Sequence, residues 1–212
     1  DVARADRLSE LDFEFPLAGG DQPGRDRFAT ELTLGDLAPV LRRHLPRTDP
    51  LAGYVDSLSA PALAGQPLRG YLNGSIDAVL RLPGPRFVVV DYKTNWLGPI
   101  RTDVSEPLTA RHYSPPVLAQ AMIAAQYPLQ ALIYAVALHR FLRWRQPGYD
   151  PERQLGGVLY LFLRGMCGPH TPTVDGVPCG VFGWAPPAAL VCELSGLLHD
   201  ARCAGTVLGT AS

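Results

Sequence analysis

The 212-residue sequence lacks long apolar runs and paired cysteines. No stretch approaches the ~18–20 consecutive apolar residues that a membrane span needs, and the N-terminus has no basic region followed by an apolar one. We therefore expect a cytoplasmic protein with no membrane partner. The cysteines form no C-x-x-C pair, which disfavours zinc, iron–sulfur and redox chemistry. They are Cys167, Cys179, Cys192 and Cys203.

An excess of charge of either sign is also missing. The chain has 19 basic and 20 acidic residues and a formal net charge of −1. It therefore has no general attraction to nucleic acid, membrane surfaces or acidic partners, and a polyanion must be held locally or delivered by another module. No G-x-x-x-x-G-K-[ST] motif occurs, which excludes a P-loop helicase motor.

The composition is that of a globular domain. Hydrophobic residues make up 47% and charged residues 18%, which excludes disorder, and the 21 Gly and 21 Pro follow no collagen period. The length suits one domain, which we place at 1–203, with a tail at 204–212. Because the sequence begins at Asp1 and not at Met, we expect a fragment or a processed form.

The periodicity predicts alternating strands and helices. Apolar residues at every second position from Leu11 to Leu17 indicate a first strand near 8–17. Residues 18–68 read as an irregular surface excursion with short helical stretches near 36–44 and 50–58. Helical signal from 117 to 145 is interrupted at Tyr127-Pro128, a buried strand is expected near 157–163 and a last helix near 187–203. The order predicts an α/β fold with a mixed sheet.

The middle of the chain contains a β-hairpin signal. Runs at 69–80 and 86–95 flank Arg81-Leu82-Pro83-Gly84-Pro85, whose Pro and Gly favour a turn. The second run starts with Phe87-Val88-Val89-Val90, so it should be a central strand that is covered on both faces.

Two acidic residues lie symmetrically in this hairpin. Asp77 and Asp91 are each seven positions from Gly84, so a turn centred there places them opposite each other, with Cβ atoms about 4.5–5.5 Å apart. Lys93, the single lysine among the 19 basic residues, should lie on the same face, about 6–7 Å from Asp91. A solitary lysine amid arginines points to a role that a guanidinium cannot fill.

This arrangement predicts metal-assisted chemistry. Two close carboxylates repel each other unless a cation lies between them, and Mg²⁺ suits carboxylate oxygens. Bound Mg²⁺ lowers the pKa of a water ligand and stabilises the charge on a scissile phosphate, while Lys93 would orient the water or support that charge. The alternative is a hairpin end whose charged residues face solvent.

Several motifs resemble one nuclease family. G-x-x-D at Gly74–Asp77 and D-Y-K-T-N-W-L-G at Asp91–Gly98 resemble the RecB-type nuclease domain, within the wider class of PD-(D/E)xK nucleases. The resemblance continues through a Q-x-x-x-Y motif at Gln130 and Tyr134, A-L-H-R-F-L at 137–142 and G-G-V-L-Y-L-F-L-R-G at 156–165. These blocks follow in order across a core motif region at 69–165.

The resemblance implies a restriction-endonuclease-like mixed β-sheet flanked by helices. It implies that Asp77, Asp91 and the backbone carbonyl of Tyr92 bind Mg²⁺, which Mn²⁺ can replace. Asp77 and Asp91, together with Lys93, would then be the catalytic residues.

Two further residues take their roles from the same resemblance. Gln130 and Tyr134 would contact DNA or the active-site strand, although such a pair alone is more often a helix edge. Trp96 could stack on a base, but a tryptophan after a strand more often packs against the fold.

The resemblance also implies partners and exposes one departure. The partners would be DNA, a helicase domain of the same polypeptide, other subunits of a RecBCD-like complex and a RecA-type recombinase, acting in double-strand-break repair and recombination. The family carries a metal-binding histidine on a helix before the first strand, and none of the five histidines lies there. That histidine would precede Asp1, or the chain is an incomplete nuclease-fold module that binds DNA or a recombinase.

Overall fold

The computed structural model describes residues 3–17, 32–99 and 107–199. Seven strands occur in this part of the chain. They are β1 (Arg7–Pro16), β2 (Tyr71–Arg81), β3 (Phe87–Lys93), β4 (Leu155–Phe162), β5 (Thr173–Val174), β6 (Val177–Pro178) and β7 (Val181–Trp184). The predicted tail at 204–212 lies outside the described residues.

Helices cover the sheet. The α-helices are α1 (Leu37–His44), α2 (Tyr54–Ser59), α3 (Pro61–Ala64), α4 (Pro115–Ala124), α5 (Tyr127–Arg145), α6 (Pro151–Gln154) and α7 (Ala188–His199). Short 3-10 turns lie at Arg4–Asp6, Leu34–Asp36, Ala110–Tyr113, Leu163–Gly165 and Gly168–His170. Among the helices described, none alone is long and apolar enough to cross a membrane; α4 and α5 pass that test only as a pair bent by 87°.

The main sheet has the order β1-β2-β3-β4-β7, and β5 and β6 form a separate small ribbon. Strand β3 pairs antiparallel with β2 and parallel with β4, while β1 and β7 pair antiparallel with β2 and β4. The sheet is therefore mixed and flanked by helices, as in restriction-endonuclease-like folds. The predicted α/β class and the central position of β3 are confirmed.

The predicted hairpin is also confirmed, together with its register. Ala78 pairs with Val90 and Arg81 with Phe87, so the turn is centred on Gly84 without a bulge. Gly84 has a φ of 83°, a left-handed conformation that favours glycine. Val89 and Val90 are buried, as expected for a strand that is covered on both faces.

The expectation of a surface excursion at 18–68 is wrong for the part that is described, 32–68. The two short helical stretches exist as α1 and α2, but their apolar residues lie in the main core. Leu41, Leu51, Tyr54 and Leu58 are almost completely buried. The cause is that this segment packs into the same core as α5 and α7. Its apolar faces are covered by these distant helices, which the local sequence does not reveal.

A glycine in β4 is predicted to be essential for stability. Gly157 has a φ of 93°, and a Cβ there would lie 2.5 Å from the carbonyl oxygen of Trp184. We expect Gly157→Ala to lower the free energy of unfolding by about 2–5 kcal/mol, because backbone strain and overlap add. Gly148→Ala is the control, since Gly148 has a φ of 71° but no heavy atom within 4 Å of the position that a Cβ would take. It should cost only about 1–2 kcal/mol in urea unfolding; equal losses would contradict the steric cause.

Candidate active site

The end of β3 brings an acid and the single lysine together. Residues two apart on a strand share a face, so Asp91 and Lys93 point to the same side of the sheet. Asp91 is only 3% exposed, and its Oδ2 lies 2.8 Å from Nζ of Lys93. The two residues therefore form an ion pair that is largely shielded from water.

Asp77 reaches the same place from β2. The register that pairs Ala78 with Val90 puts Asp77 opposite Asp91 one step further along. There the side chain of Asp77 takes the place of a main-chain acceptor in β2: its Oδ2 accepts a hydrogen bond of 2.9 Å from the backbone N–H of Tyr92. The predicted convergence of the two carboxylates is thus present in the fold, and the backbone of β3 fixes one of them.

The fold disfavours the ionised form of the Asp91 carboxyl group. Burial raises the pKa of Asp91 above its usual value; Lys93 opposes this shift and the negative charge of Asp77 adds to it. In the part of the chain that the structure describes, no donor reaches Oδ2 of Asp91 with hydrogen-bond geometry, despite the short contact with Lys93. A buried, incompletely bonded carboxylate beside a second one is an arrangement that a cation stabilises.

The oxygen donors at this place suit Mg²⁺. Two carboxylates, from Asp77 and Asp91, and the main chain at Tyr92 offer hard oxygen ligands of the kind that Mg²⁺ takes, with water completing its shell. Within residues 3–17, 32–99 and 107–199, no group of three or more His, Cys, Asp and Glu side chains could hold an ion. The protein would therefore supply few side-chain ligands from the described residues.

Three histidines have partners elsewhere in the fold. His44 binds the carboxylate of Glu193 at 2.6 Å, His112 accepts a hydrogen bond from the N–H of Thr109, and His139 is buried against the hydroxyl of Tyr149.

Two tyrosines enclose the lysine. Nζ of Lys93 lies 4.2 Å from the ring centre of Tyr127, at the start of α5, and 5.3 Å from that of Tyr160 in β4. The rings stack with centroids 5.9 Å apart, and we call them the tyrosine pair. Cation–π attraction over two rings restricts where the ammonium can lie. Sequence analysis missed this pair, because Tyr127 read as a helix boundary and Tyr160 as one residue of a buried strand.

Gln130 completes the surroundings of the lysine. Its Oε1 accepts hydrogen bonds from Lys93 at 3.0 Å and from the hydroxyl of Tyr160 at 3.2 Å, and its Nε2 donates to the hydroxyl of Tyr134 at 2.9 Å. Tyr134 is 8% exposed. Of the two roles expected for Gln130 and Tyr134, the geometry favours contact with the active-site strand; a DNA contact stays a prediction, and burial of Tyr134 disfavours it.

Comparison with protein-family models finds no match. Among individual proteins, the RecBCD enzyme subunit RecB of Mycolicibacterium smegmatis is 60% identical over 197 residues, which are 93% of this chain and 17% of that protein. The subunit of the same name from Mycobacterium tuberculosis H37Rv is 57% identical over 93% of the chain, and that of Escherichia coli K12 is 40% identical over 76%. The chain spans 17% or less of the length of these relatives.

Proposed function

We propose that this chain, which is homologous to a segment of RecB subunits of RecBCD enzymes, is a nuclease domain that hydrolyses phosphodiester bonds of DNA with Mg²⁺. The observation that carries the proposal is the convergence of Asp77 in β2 with Asp91 and Lys93 at the end of β3. The 60% sequence identity to the RecB subunit of Mycolicibacterium smegmatis, which extends over 93% of the chain, supports a role in DNA repair and recombination.

The residues of the site divide into those that hold the ion and those that act on the reacting groups. Asp77, Asp91 and the carbonyl of Tyr92 would hold Mg²⁺, or Mn²⁺ in its place. Bound Mg²⁺ lowers the pKa of a water ligand and offsets the negative charge that develops on the phosphate.

Lys93 acts on the reacting groups. Its ammonium donates hydrogen bonds, so it can hold the attacking water or stabilise a non-bridging phosphate oxygen. Gln130 and the tyrosine pair restrict its position, which confines those bonds to one direction. The low exposure of Asp91 shields its carboxylate from bulk water, which strengthens its interactions with Lys93 and with a bound cation.

The partners follow from the RecB relationship and from the charge of the chain. A net charge of −1 gives little attraction to DNA, which suits a domain that receives strands from a helicase domain of the same polypeptide. Other subunits of a RecBCD-like complex and a RecA-type recombinase are proposed partners on the same grounds.

A non-catalytic module is the second candidate. The described residues bring two carboxylates to the site, and no third acidic or histidine side chain joins them there. A chain of this kind could retain the fold and bind DNA or a recombinase without cutting.

The experiment is an end-labelled cleavage assay on linear single-stranded and duplex DNA, with a full-length RecB-type protein that contains this chain. We expect cleavage with Mg²⁺ or Mn²⁺ and none with EDTA. DNA binding without any metal-dependent cleavage would contradict the nuclease proposal and support the second candidate.

Replacing Gln130 tests whether it positions the lysine. We expect Gln130→Leu to lower kcat for cleavage by about 10- to 100-fold, the scale of disturbed supporting contacts, and to change KM for DNA little. Tyr134→Phe is the matched control, because it removes the bond to Nε2 and leaves Lys93 bonded to Oε1; its loss should be smaller. A large rise in KM for both variants, with kcat unchanged, would instead assign them to DNA binding.

A further inference from the structure

An exposed tryptophan and an arginine form a pair beside the candidate site. The side chain of Trp96 is 50% exposed, and the guanidinium carbon of Arg164 lies 5.9 Å from its ring centre. Arg164 is exposed as well. Neither side chain has a part in the mechanism above.

Backbone contacts hold both side chains in place. Nε1 of Trp96 donates a hydrogen bond of 3.1 Å to the carbonyl of Pro99, and Nε of Arg164 donates one of 2.8 Å to the carbonyl of Thr94. The loop that follows β3 is tied to Tyr113, whose hydroxyl donates to the carbonyl of Asn95. The ring and the guanidinium are therefore fixed before any ligand arrives, which lowers the entropy cost of binding.

Trp96 and Arg164 lie just beyond the C-terminal ends of β3 and β4, on the side of the sheet to which Asp91 and Lys93 lead. Strands β3 and β4 are parallel, and Lys93 is in register with Phe162. Trp96 follows Lys93 by three residues and Arg164 follows Phe162 by two, so both extend the same strand ends. Three residues of chain span at most about 10 Å, roughly the length of one to three nucleotides of a DNA strand.

The chemistry of the pair matches an unpaired nucleotide. An indole ring stacks on any base, and a guanidinium binds phosphate with several N–H groups. In the described part of the chain, Arg164 makes no hydrogen bond or ion pair other than its bond to Thr94. Because the chain as a whole is not basic, binding of a strand depends on local cations such as Arg164.

We propose that Trp96 and Arg164 form a binding site for one unpaired nucleotide next to the scissile phosphate. The base stacks on Trp96, and the remaining N–H groups of Arg164 bind the adjoining phosphate. This inference rests on the proposed nuclease function, since it places the nucleotide relative to Asp91 and Lys93.

Binding of single strands to the full-length protein tests the site without cleavage. An oligo-dT strand and the same strand with abasic positions are titrated in EDTA and followed by fluorescence anisotropy. We expect the wild-type protein to bind the base-bearing strand about 5- to 100-fold more tightly, the range for one stacked base. Trp96→Ala should reduce this difference and Trp96→Phe should keep most of it, while Arg164→Ala should weaken binding of both strands.

Trp144 supplies a matched control. It is 76% exposed and has its own arginine, Arg145, at 4.9 Å from its ring, but it lies near the other end of α5, about 26 Å from Tyr127. Trp144→Ala should bind both strands as the wild-type protein does.

The outcomes distinguish a nucleotide site from a protein contact. If Trp96→Ala keeps the full wild-type preference for the base-bearing strand, the proposed site is wrong. Leu163 and Met166 beside Arg164 are also exposed, so a protein contact is the rival use of this surface. Loss of subunit assembly in Trp96→Ala, with DNA binding intact, would establish that use and overturn the proposal.

Failure of the nuclease proposal would look different. In that case the wild-type protein would not cut DNA with Mg²⁺, whatever its preference between the two strands. If Trp96→Ala unfolds, comparison of Trp96→Phe with Trp96→Leu decides, since only the aromatic side chain should retain the full preference.

Discussion

Lys93→Arg is expected to lower the rate of DNA cleavage by at least about 10²–10³-fold, the scale of losing one positioned proton donor. Nζ of Lys93 lies 2.8 Å from Asp91, 3.0 Å from Gln130 and 4.2 Å from the ring centre of Tyr127. A planar, forked guanidinium is too large for this space and cannot place a single ammonium there. Single-turnover cleavage at saturating DNA measures the effect.

The variant should remain folded and should still bind metal, because the carboxylates are intact. Arg153→Lys, at an exposed position of α6, is the control for exchanging the two cations and should cut normally. A Lys93→Arg protein whose rate is within a few-fold of the wild type would remove Lys93 from the mechanism.

Asp91→Asn is expected to abolish both metal binding and cleavage. Asp91 provides a buried carboxylate that lies opposite Asp77 in the sheet, and a neutral amide attracts a divalent cation much less. Mn²⁺ titration by calorimetry and the cleavage assay should both show the loss. Asp175→Asn, at an exposed turn, is the control, and Mn²⁺ binding by Asp91→Asn at wild-type affinity would contradict the proposed site.

The stability of the metal-free Asp91→Asn protein should depend on pH in a defined direction. Burial raises the pKa of Asp91, so the fold favours the protonated carboxyl and wild-type stability gains as pH falls through that raised pKa. The asparagine side chain is neutral at every pH. Relative to the wild type, the variant should therefore be at least as stable at pH 7, and its advantage should shrink on acidification; urea unfolding at both pH values measures this.

The part of the site that could be predicted is the part formed by local pairing. A Pro- and Gly-rich turn centred on Gly84 sets the register, and that register alone places Asp77 opposite Asp91. The alternation of a strand then puts Lys93 on the face of Asp91. Both inferences use only the hairpin that runs from Asp77 to Lys93.

The tyrosine pair and Gln130 could not be predicted as neighbours of Lys93. They reach it because β3 pairs with β4 and because α5 packs on the sheet, and neither event is encoded near Lys93 in the sequence. The misread segment 32–68 has the same cause. Its Pro and Gly residues suggested a surface loop, whereas burial of Leu41 and Tyr54 depends on helices more than seventy residues away.

The parallel pairing of β3 with β4 also determines the order in which the site can form during folding. A hairpin closes a short loop and forms on the microsecond scale, so β2 and β3 can bring the two carboxylates together early. Parallel strands need the whole crossover through α4 and α5, and such non-local pairing is slow. We expect amide hydrogen exchange during refolding to protect Val90, whose N–H lies on the β2 side of β3, before Leu161, whose N–H lies on the β3 side of β4. A newly made chain would then hold its acidic residues together well before its lysine is fixed, which delays catalytic competence until the domain is complete.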